Sequence, residues 1–145
     1  MNKEVLHKGI AFLARREHSV QELTEKLLAK QFEQGDISEV IAFLQEESYQ
    51  SDERFAEAYC RNRVTKGYGW QYIRSGLAQK GVDHDTIALV FQNSDVDWFH
   101  QAELAYTKRF GSRIITDQKD KAKRIRFLQY RGFSTEQILN AIEQN

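Results

Sequence analysis

The amino-acid sequence predicts an all-α protein, and three observations support that prediction. The 145 residues include no proline and only 8 glycines, so few positions would interrupt a helix. Long stretches such as residues 19–31 are rich in Leu, Glu, Lys, Gln and Ala, which favour helix. No stretch shows the sustained alternation of apolar and polar residues that is typical of a half-buried strand.

Helix starts can be recognised from the residues that cap a first turn. Three pairs have the spacing of a capping box: Ser19 with Glu22, Asp36 with Glu39, and Ser134 with Gln137. Ser51 and Ser94 each precede acidic residues, which complement the positive end of a helix dipole. The sequence therefore predicts nine helices, near residues 3–16, 19–31, 37–48, 52–66, 70–80, 84–92, 95–110, 118–131 and 135–143.

A repeat with a period of 50 or 51 residues organises these helices. Its first position is a leucine and its fourth is basic, and apolar residues recur at fixed offsets after them. The equivalent sets are Leu27/Leu77/Leu128, Lys30/Lys80/Arg131, Phe32/Val82/Phe133, Ile37/Ile87/Ile138 and Ile41/Phe91/Ile142. One three-helix unit would bury only part of its apolar surface. We therefore predict three tandem three-helix repeats, over 1–50, 51–94 and 95–145, stacked into an elongated, curved molecule.

Charge is unevenly distributed along a chain whose net charge is zero. Residues 1–60 carry 7 Lys and Arg against 12 Asp and Glu, and residues 61–131 carry 14 against 7. A basic middle segment with acidic flanks is expected to attract anionic partners, and ordinary solvated helix faces are the alternative interpretation of the same pattern.

The densest basic segment is KDKAKRIRFLQYR, residues 119–131. Lys119, Lys123 and Arg126 share one helix face, while Ile125 and Leu128 can turn towards the core. Such a helix suits either a phosphate backbone or an acidic groove on a protein, and the spacing does not separate these two partners.

The segment SDERFAEAYCRNRVTKGYGWQYI, residues 51–73, combines basic and aromatic residues. Phe55, Ala58 and Tyr59 have the spacing of an inward-facing helix stripe, and Trp70 is also expected in the core. Arg61 and Arg63 lie near the end of the same helix, where cations complement the dipole. For Tyr68, between two glycines, packing in the core and stacking on a nucleic-acid base both remain open.

Several classes of function are disfavoured. The four histidines are scattered, and neither GxxxxGK[ST] nor GxGxxG occurs, so we predict no metal, no cofactor and no enzymatic activity. Cys60 has no partner for an internal disulfide and is expected to be buried. No apolar run approaches the ~20 residues of a membrane helix and no signal peptide is recognised, so a cytoplasmic protein without membrane association is expected.

Three segments together resemble the RecX family of bacterial recombinase regulators: REHSVQELTEKLLAK, YQSDERFAEAYCRNRVTKGYGWQYIRSGLAQKGV and FLQYRGFSTEQILNAI. The most specific part is Asp52-Glu53-Arg54-Phe55-Ala56, followed by Arg63, Gly69, Leu77 and Lys80-Gly81; Arg131-Gly132-Phe133 adds a second anchor. One position departs from the pattern. The first repeat has Gln31 where the others have Gly81 and Gly132, which leaves the geometry of that turn open.

The resemblance implies a regulator that binds the RecA recombinase, chiefly its filament on single-stranded DNA, and restrains its strand exchange, ATPase and coprotease activities in DNA repair and the SOS response. The alternative is a module that binds single-stranded DNA directly and occludes it; weak direct DNA binding is also compatible with the first function. The residues expected to form the binding surface are basic or aromatic: Arg61, Arg63, Lys66, Tyr68, Lys119, Lys123, Arg124, Arg126 and Arg131.

Overall fold

The computed structural model describes residues 1–143, and within them it contains nine helices and no strand. In chain order the helices are α1 Lys3–Arg15, α2 Val20–Ala29, α3 Gln34–Glu46, α4 Asp52–Thr65, α5 Trp70–Gln79, α6 His84–Asn93, α7 Trp98–Phe110, α8 Gln118–Tyr130 and α9 Thr135–Glu143. The all-α prediction is confirmed. The last two residues of the predicted third repeat, Gln144 and Asn145, lie outside the described residues. None of the nine helices has the length and apolar character needed to cross a bilayer.

Most of the predicted helix starts are confirmed. Ser19 and Glu22 form a reciprocal capping box at the start of α2. Ser134 and Gln137 form the same reciprocal pair before α9, at 3.2 and 2.9 Å. The Ser51 hydroxyl accepts the N–H of Arg54 at 3.1 Å and so caps α4.

Two predicted starts are wrong. Helix α3 begins at Gln34, before Asp36, and the Asp36 carboxylate instead accepts a hydrogen bond from the Asn2 side chain at 3.2 Å. Helix α7 begins at Trp98 with Asp97 as its cap, while the Ser94 hydroxyl donates back to the carbonyl of Phe91 at the end of α6. In both places several acidic or hydroxyl residues lie close together in the sequence; the N-cap residue of α3, Glu33, makes no side-chain cap, whereas Asp97 caps α7 by accepting the N–H of His100.

The repeat positions correspond to one recurring helix end. Leu27, Leu77 and Leu128 are completely buried, and each carbonyl accepts the N–H of the residue five positions later, at 3.4, 3.1 and 3.2 Å. This bond is typical of a Schellman motif, in which the intervening residue adopts a left-handed conformation. Gly81 and Gly132 do so at φ 81° and 94°, and Gln31 does so at φ 69°. The first turn therefore keeps the shared geometry although it lacks glycine.

Not every repeat position is buried. The second apolar position is half-buried as Phe32 but buried as Val82 and Phe133. The last position is buried as Ile41 and is 43% exposed as Phe91.

The chain forms two compact units. Unit 1 comprises Met1–Ala58 with Leu77–Val90, and unit 2 comprises Tyr59–Gly76 with the chain from Phe91 onward. In unit 1, helices α1, α2 and α3 pack on one another around Leu23, Leu27 and Leu44. In unit 2, helices α7, α8 and α9 pack around Tyr106 and Leu128.

Two smaller expectations are also confirmed. Of the four residues expected to face inward, Phe55 is buried as predicted, whereas Ala58, Tyr59 and Trp70 are only half-buried. Cys60 is a buried free cysteine, and its burial raises the pKa of its thiol, so it remains a neutral apolar group.

Candidate functional site: a basic surface on unit 2

The two units carry opposite charge. Unit 1 contains 8 Lys and Arg against 14 Asp and Glu, whereas unit 2 contains 13 against 7. Every residue predicted for the binding surface belongs to unit 2. The positive half of a neutral chain is thus gathered in one compact body, which concentrates its electrostatic field.

Within unit 2, two glycines let distant segments of the chain touch. The N–H of Gly69 donates to the carbonyl of Arg131 at 2.6 Å, and the N–H of Gln71 donates to the carbonyl of Gly132 at 3.0 Å. A Cβ atom on Gly69 would lie 2.6 Å from the Gly132 carbonyl oxygen. This close approach requires glycine, and it joins the turn after α4 to the turn after α8.

The crossing brings together Lys66, Tyr68 and Arg131, three of the predicted residues. Arg131 donates from Nη1 to the carbonyl of Lys66 at 3.0 Å, and its guanidinium lies over the rings of Tyr68 and Phe127 at 4.7 and 5.2 Å. The Tyr68 ring also stacks on Tyr72, with ring centroids 4.0 Å apart. Because the side chains of Arg131 and Tyr72 already cover the Tyr68 ring, the geometry favours packing within the protein over stacking on a nucleic-acid base.

Arg61 and Arg63 have different surroundings although they lie on the same helix. Arg61 is exposed, whereas Arg63 is half-buried with its guanidinium 4.9 Å from the ring centroid of Tyr59. Hydrogen bonding to Tyr59 raises the pKa of Arg63, so it stays charged. Gly76 makes room for the Tyr59 hydroxyl, because a side chain at Gly76 would collide with it. Arg63 is therefore part of the packing of unit 2, and Arg61 is free to face a partner.

Helix α8 presents a second basic region. Lys119, Lys123 and Arg126 are exposed on one face and line an open groove of about 730 Å³ together with Arg113. Within residues 1–143, none of these four forms an ion pair. Asp117 and Asp120 also line this groove, but four cations outnumber the two carboxylates, so net positive charge remains available to an anionic partner.

The prediction that Arg124 belongs to the exposed surface is wrong, because its side chain points into unit 2 and the residue is only 3% exposed. Its guanidinium donates to the Tyr106 hydroxyl at 2.7 Å, to the carbonyls of Arg113 and Ile114 at 2.9 and 3.2 Å, and to Asp120. The bond with Tyr106 and the pair with Asp120 raise the pKa of Arg124. Arg124 thus holds the 111–117 loop against α8. The sequence did not reveal this structural role, because Arg124 lies among several other basic residues of the same helix.

One exposed residue escaped the sequence prediction. Tyr130 is 81% exposed and lies eleven, seven and four residues after Lys119, Lys123 and Arg126, which places it on the same face of α8. The helical spacing could have identified it, but an exposed tyrosine and a buried one look alike in sequence. An unoccupied aromatic ring beside three cations is a suitable platform for a base.

Comparison with protein families gives matches along most of the chain. The models of the first, second and third three-helix domains of RecX match residues 6–44, 51–90 and 95–142. Each match lies within one predicted repeat, and the boundaries between repeats remain a prediction.

Individual relatives agree with these matches. The chain is 42% identical to the regulatory protein RecX of Vibrio parahaemolyticus, over 92% of this chain and 86% of that protein. It is 35% identical to the regulatory protein RecX of Serratia proteamaculans, over 93% and 94%. The fold is similar to the crystal structure of RecX from Lactobacillus salivarius, with a TM-score of 0.80 at 20% identity over 98% of this chain and 94% of that one.

Proposed function

The chain belongs to the RecX family of regulatory proteins, and from this premise we propose that it binds RecA and the RecA filament on single-stranded DNA through the basic surface of unit 2. Binding would restrain strand exchange, ATP hydrolysis and coprotease activity during DNA repair and the SOS response. The proposal implies a cytoplasmic protein that acts without a cofactor.

The observation that carries the proposal is the exposed basic face of α8. Lys119, Lys123 and Arg126 project from a helix whose register is fixed by the buried Leu128 and Arg124. When cations are held on a rigid helix, binding to an acidic surface restricts only their own side chains, because the backbone is already ordered. Complementary charge also speeds association with a polyanionic filament.

The proposed regulation needs no catalytic step. A protein that binds one state of a filament more tightly than another shifts the filament towards that state. ATP hydrolysis depends on the active filament. If this protein binds an inactive or shortened filament more tightly than the active one, ATP hydrolysis falls without any catalytic step.

The test is the double substitution Lys123→Glu with Arg126→Glu. We expect inhibition of the DNA-dependent ATPase activity of RecA to weaken at least about tenfold, because two attractive contacts become repulsive. The fold should change little, since exposed substitutions usually alter the free energy of unfolding by less than about 0.5 kcal/mol. The measurement is an inhibition titration at fixed salt, with circular dichroism for folding.

The matched control reverses two charges on unit 1. Glu46 and Glu47 are exposed at the end of α3, and Glu46→Lys with Glu47→Lys should affect inhibition much less. Undiminished inhibition by the Lys123→Glu, Arg126→Glu protein would exclude this face of α8 and direct attention to Arg61, Lys66 and Arg131.

Direct binding of single-stranded DNA is the second candidate, and exposed Tyr130 is the observation that favours it. The same preparations can be titrated with naked single-stranded DNA at several salt concentrations. A direct binder should show a log–log slope of about 0.7 per neutralised phosphate, and Tyr130→Ala should weaken it. Binding to the filament without such affinity for naked DNA would favour the protein partner.

A further inference from the structure

A cavity of about 210 Å³ lies in unit 2 beside the glycine crossing. Its charged lining consists of four cations, Lys66, Lys108, Arg109 and Arg131, with no acidic side chain among the lining residues. Within the described part of the chain none of the four forms an ion pair. The α8 groove differs, because Asp117 and Asp120 belong to its lining.

The cavity has a fixed apolar floor. Phe127 and Ala105 line it, and the guanidinium groups of Arg109 and Arg131 lie over the Phe127 ring at 5.6 and 5.2 Å. Arg131 is further held by its bond to the Lys66 carbonyl at 3.0 Å. Stacking of a guanidinium on an aromatic ring leaves its N–H groups directed outward at the ring's edge, ready for oxygen atoms.

We propose that this cavity binds a diphosphate group, either as free pyrophosphate or as the tail of a nucleoside diphosphate. Four cations are enough to balance the charge of about −3 that a diphosphate group, free or as a nucleotide tail, carries near neutral pH. The volume is below the ~300 Å³ at which pockets begin to enclose drug-sized ligands, so it suits the phosphates and leaves a nucleoside outside. Paired arginines match the geometry of phosphate oxygens better than isolated lysines do. The proposal does not rest on the proposed function, although Lys66 and Arg131 also belong to the surface proposed to bind RecA.

A purely structural role for the four cations makes a different prediction. Lys66, Lys108, Arg109 and Arg131 lie at the carboxyl ends of α4, α7 and α8, where positive charge stabilises a helix. In that case their removal would lower the melting temperature, and pyrophosphate would not bind the unchanged protein.

The experiment is calorimetric titration of the full chain with inorganic pyrophosphate at low, fixed ionic strength. The test protein carries Lys108→Gln with Arg109→Gln. The control carries Lys119→Gln with Lys123→Gln, which removes the same charge from the α8 groove of the same unit. We expect Kd to rise at least about tenfold in the test protein and less than about threefold in the control, because only the first pair contacts the ligand. Thermal melting of each protein checks that it is folded.

Two further ligands identify the source of the diphosphate. If ADP competes with pyrophosphate and binds at least as tightly as pyrophosphate does, the ligand is a nucleotide tail. If ADP binds more weakly than pyrophosphate, the ligand is the free ion. Both results support the site. A trithymidylate with two internal phosphodiesters and no terminal phosphate should bind at least about tenfold more weakly, because its charge is only about −2 and is spread over two separated groups. Equal or tighter binding of the trithymidylate, absence of pyrophosphate binding, or equal losses in the two variants would each overturn the proposal.

Discussion

The two units use the same helix-ending turn but treat their charges differently. In unit 1 several charged side chains bond to one another or to the backbone. Glu22, which is buried, pairs with Arg16 at 3.0 Å and Lys80 at 3.3 Å, and Arg54 pairs with Glu17 at 2.8 Å. In unit 2 the buried charge is a cation, Arg124, which pairs with Asp120, and the exposed cations Lys119, Lys123 and Arg126 on the same helix form no ion pair within the described residues.

This difference separates stability from recognition. Charged groups that are satisfied inside a unit fix its geometry and have little left to offer a partner. Exposed cations without carboxylates nearby contribute little to stability and remain available for binding. Unit 1 is thus expected to respond to substitution mainly by losing stability, and unit 2 mainly by losing affinity for anions.

The largest effect should come from the buried leucines, where the two units ought to behave alike. Leu27 and Leu128 occupy the same position in the repeat and are both completely buried. Leu27→Ala and Leu128→Ala should each lower the free energy of unfolding by about 2–5 kcal/mol. Urea denaturation measures both. A loss below 1 kcal/mol at either site, as for an exposed residue, would contradict their equivalence.

The next effect distinguishes two neighbouring acids in unit 1. The Asp52 carboxylate accepts the N–H of Val20, in the first turn of α2, at 2.9 Å and the Gln50 side chain at 3.0 Å, whereas Glu53 is exposed. Asp52→Ala should therefore lower the free energy of unfolding by about 2 kcal/mol, because the half-buried Val20 N–H and one N–H of the buried Gln50 amide lose their acceptor. Glu53→Ala is the control, with an expected change within about 0.5 kcal/mol. If denaturation experiments gave similar losses of stability for both variants, the negative charge near the helix N-terminus, rather than these hydrogen bonds, would account for the stabilisation.

A smaller effect should appear as a pH dependence that originates in unit 1. His18 is buried, with Nδ1 3.0 Å from the Arg16 carbonyl and Nε2 2.8 Å from the Lys26 ammonium, so its ring is neutral. Burial is the main cause that lowers the pKa of His18 below its ordinary value of about 6.5, and the charges of Arg16 and Lys26 add to it. The hydrogen bond with the Arg16 carbonyl and the Glu22 carboxylate oppose this shift without reversing it.

Below about pH 6.5 the unfolded chain therefore binds a proton that the folded protein resists, and the free energy of unfolding should fall as pH decreases, by at most about 1.4 kcal/mol per pH unit. The decline should end once the pH passes the lowered pKa of the folded state. His18→Gln should remove this component from urea denaturation measured between about pH 7 and 5. His100→Gln, at an exposed position in unit 2, should leave it intact. An unaltered pH profile in the His18 variant would contradict the neutral, buried ring.

The smallest effect concerns the turn that lacks glycine. Gln31 adopts φ 69°, a conformation that favours glycine. Gln31→Gly should raise the free energy of unfolding by up to about 1 kcal/mol, offset in part by the greater freedom of glycine in the unfolded chain. Gly132→Ala in unit 2 should act in the opposite direction and more strongly, because φ is 94° and an added Cβ would collide with Tyr72. Thermal melts of both variants would show whether the two turns depend on glycine in the same way.

The sequence by itself determined the helices and their repeat, because both depend on local spacing. Helix propensity, caps such as Ser19 and Ser134, and the recurrence of Leu27, Leu77 and Leu128 all act over a few residues along the chain. The excess of cations after residue 60 was visible for the same reason, since charge can be counted without knowing the fold.

Only the tertiary structure decided which of those cations face solvent. Arg124 and Arg126 are two residues apart in one basic segment, yet one is buried against Tyr106 and the other is exposed. Similarly, contact between Gly69 and Gly132, more than sixty residues apart, covers Tyr68 and creates the cavity beside Arg131. Such outcomes depend on which distant surfaces meet, and the free energy of that packing is not encoded in the spacing of any one segment.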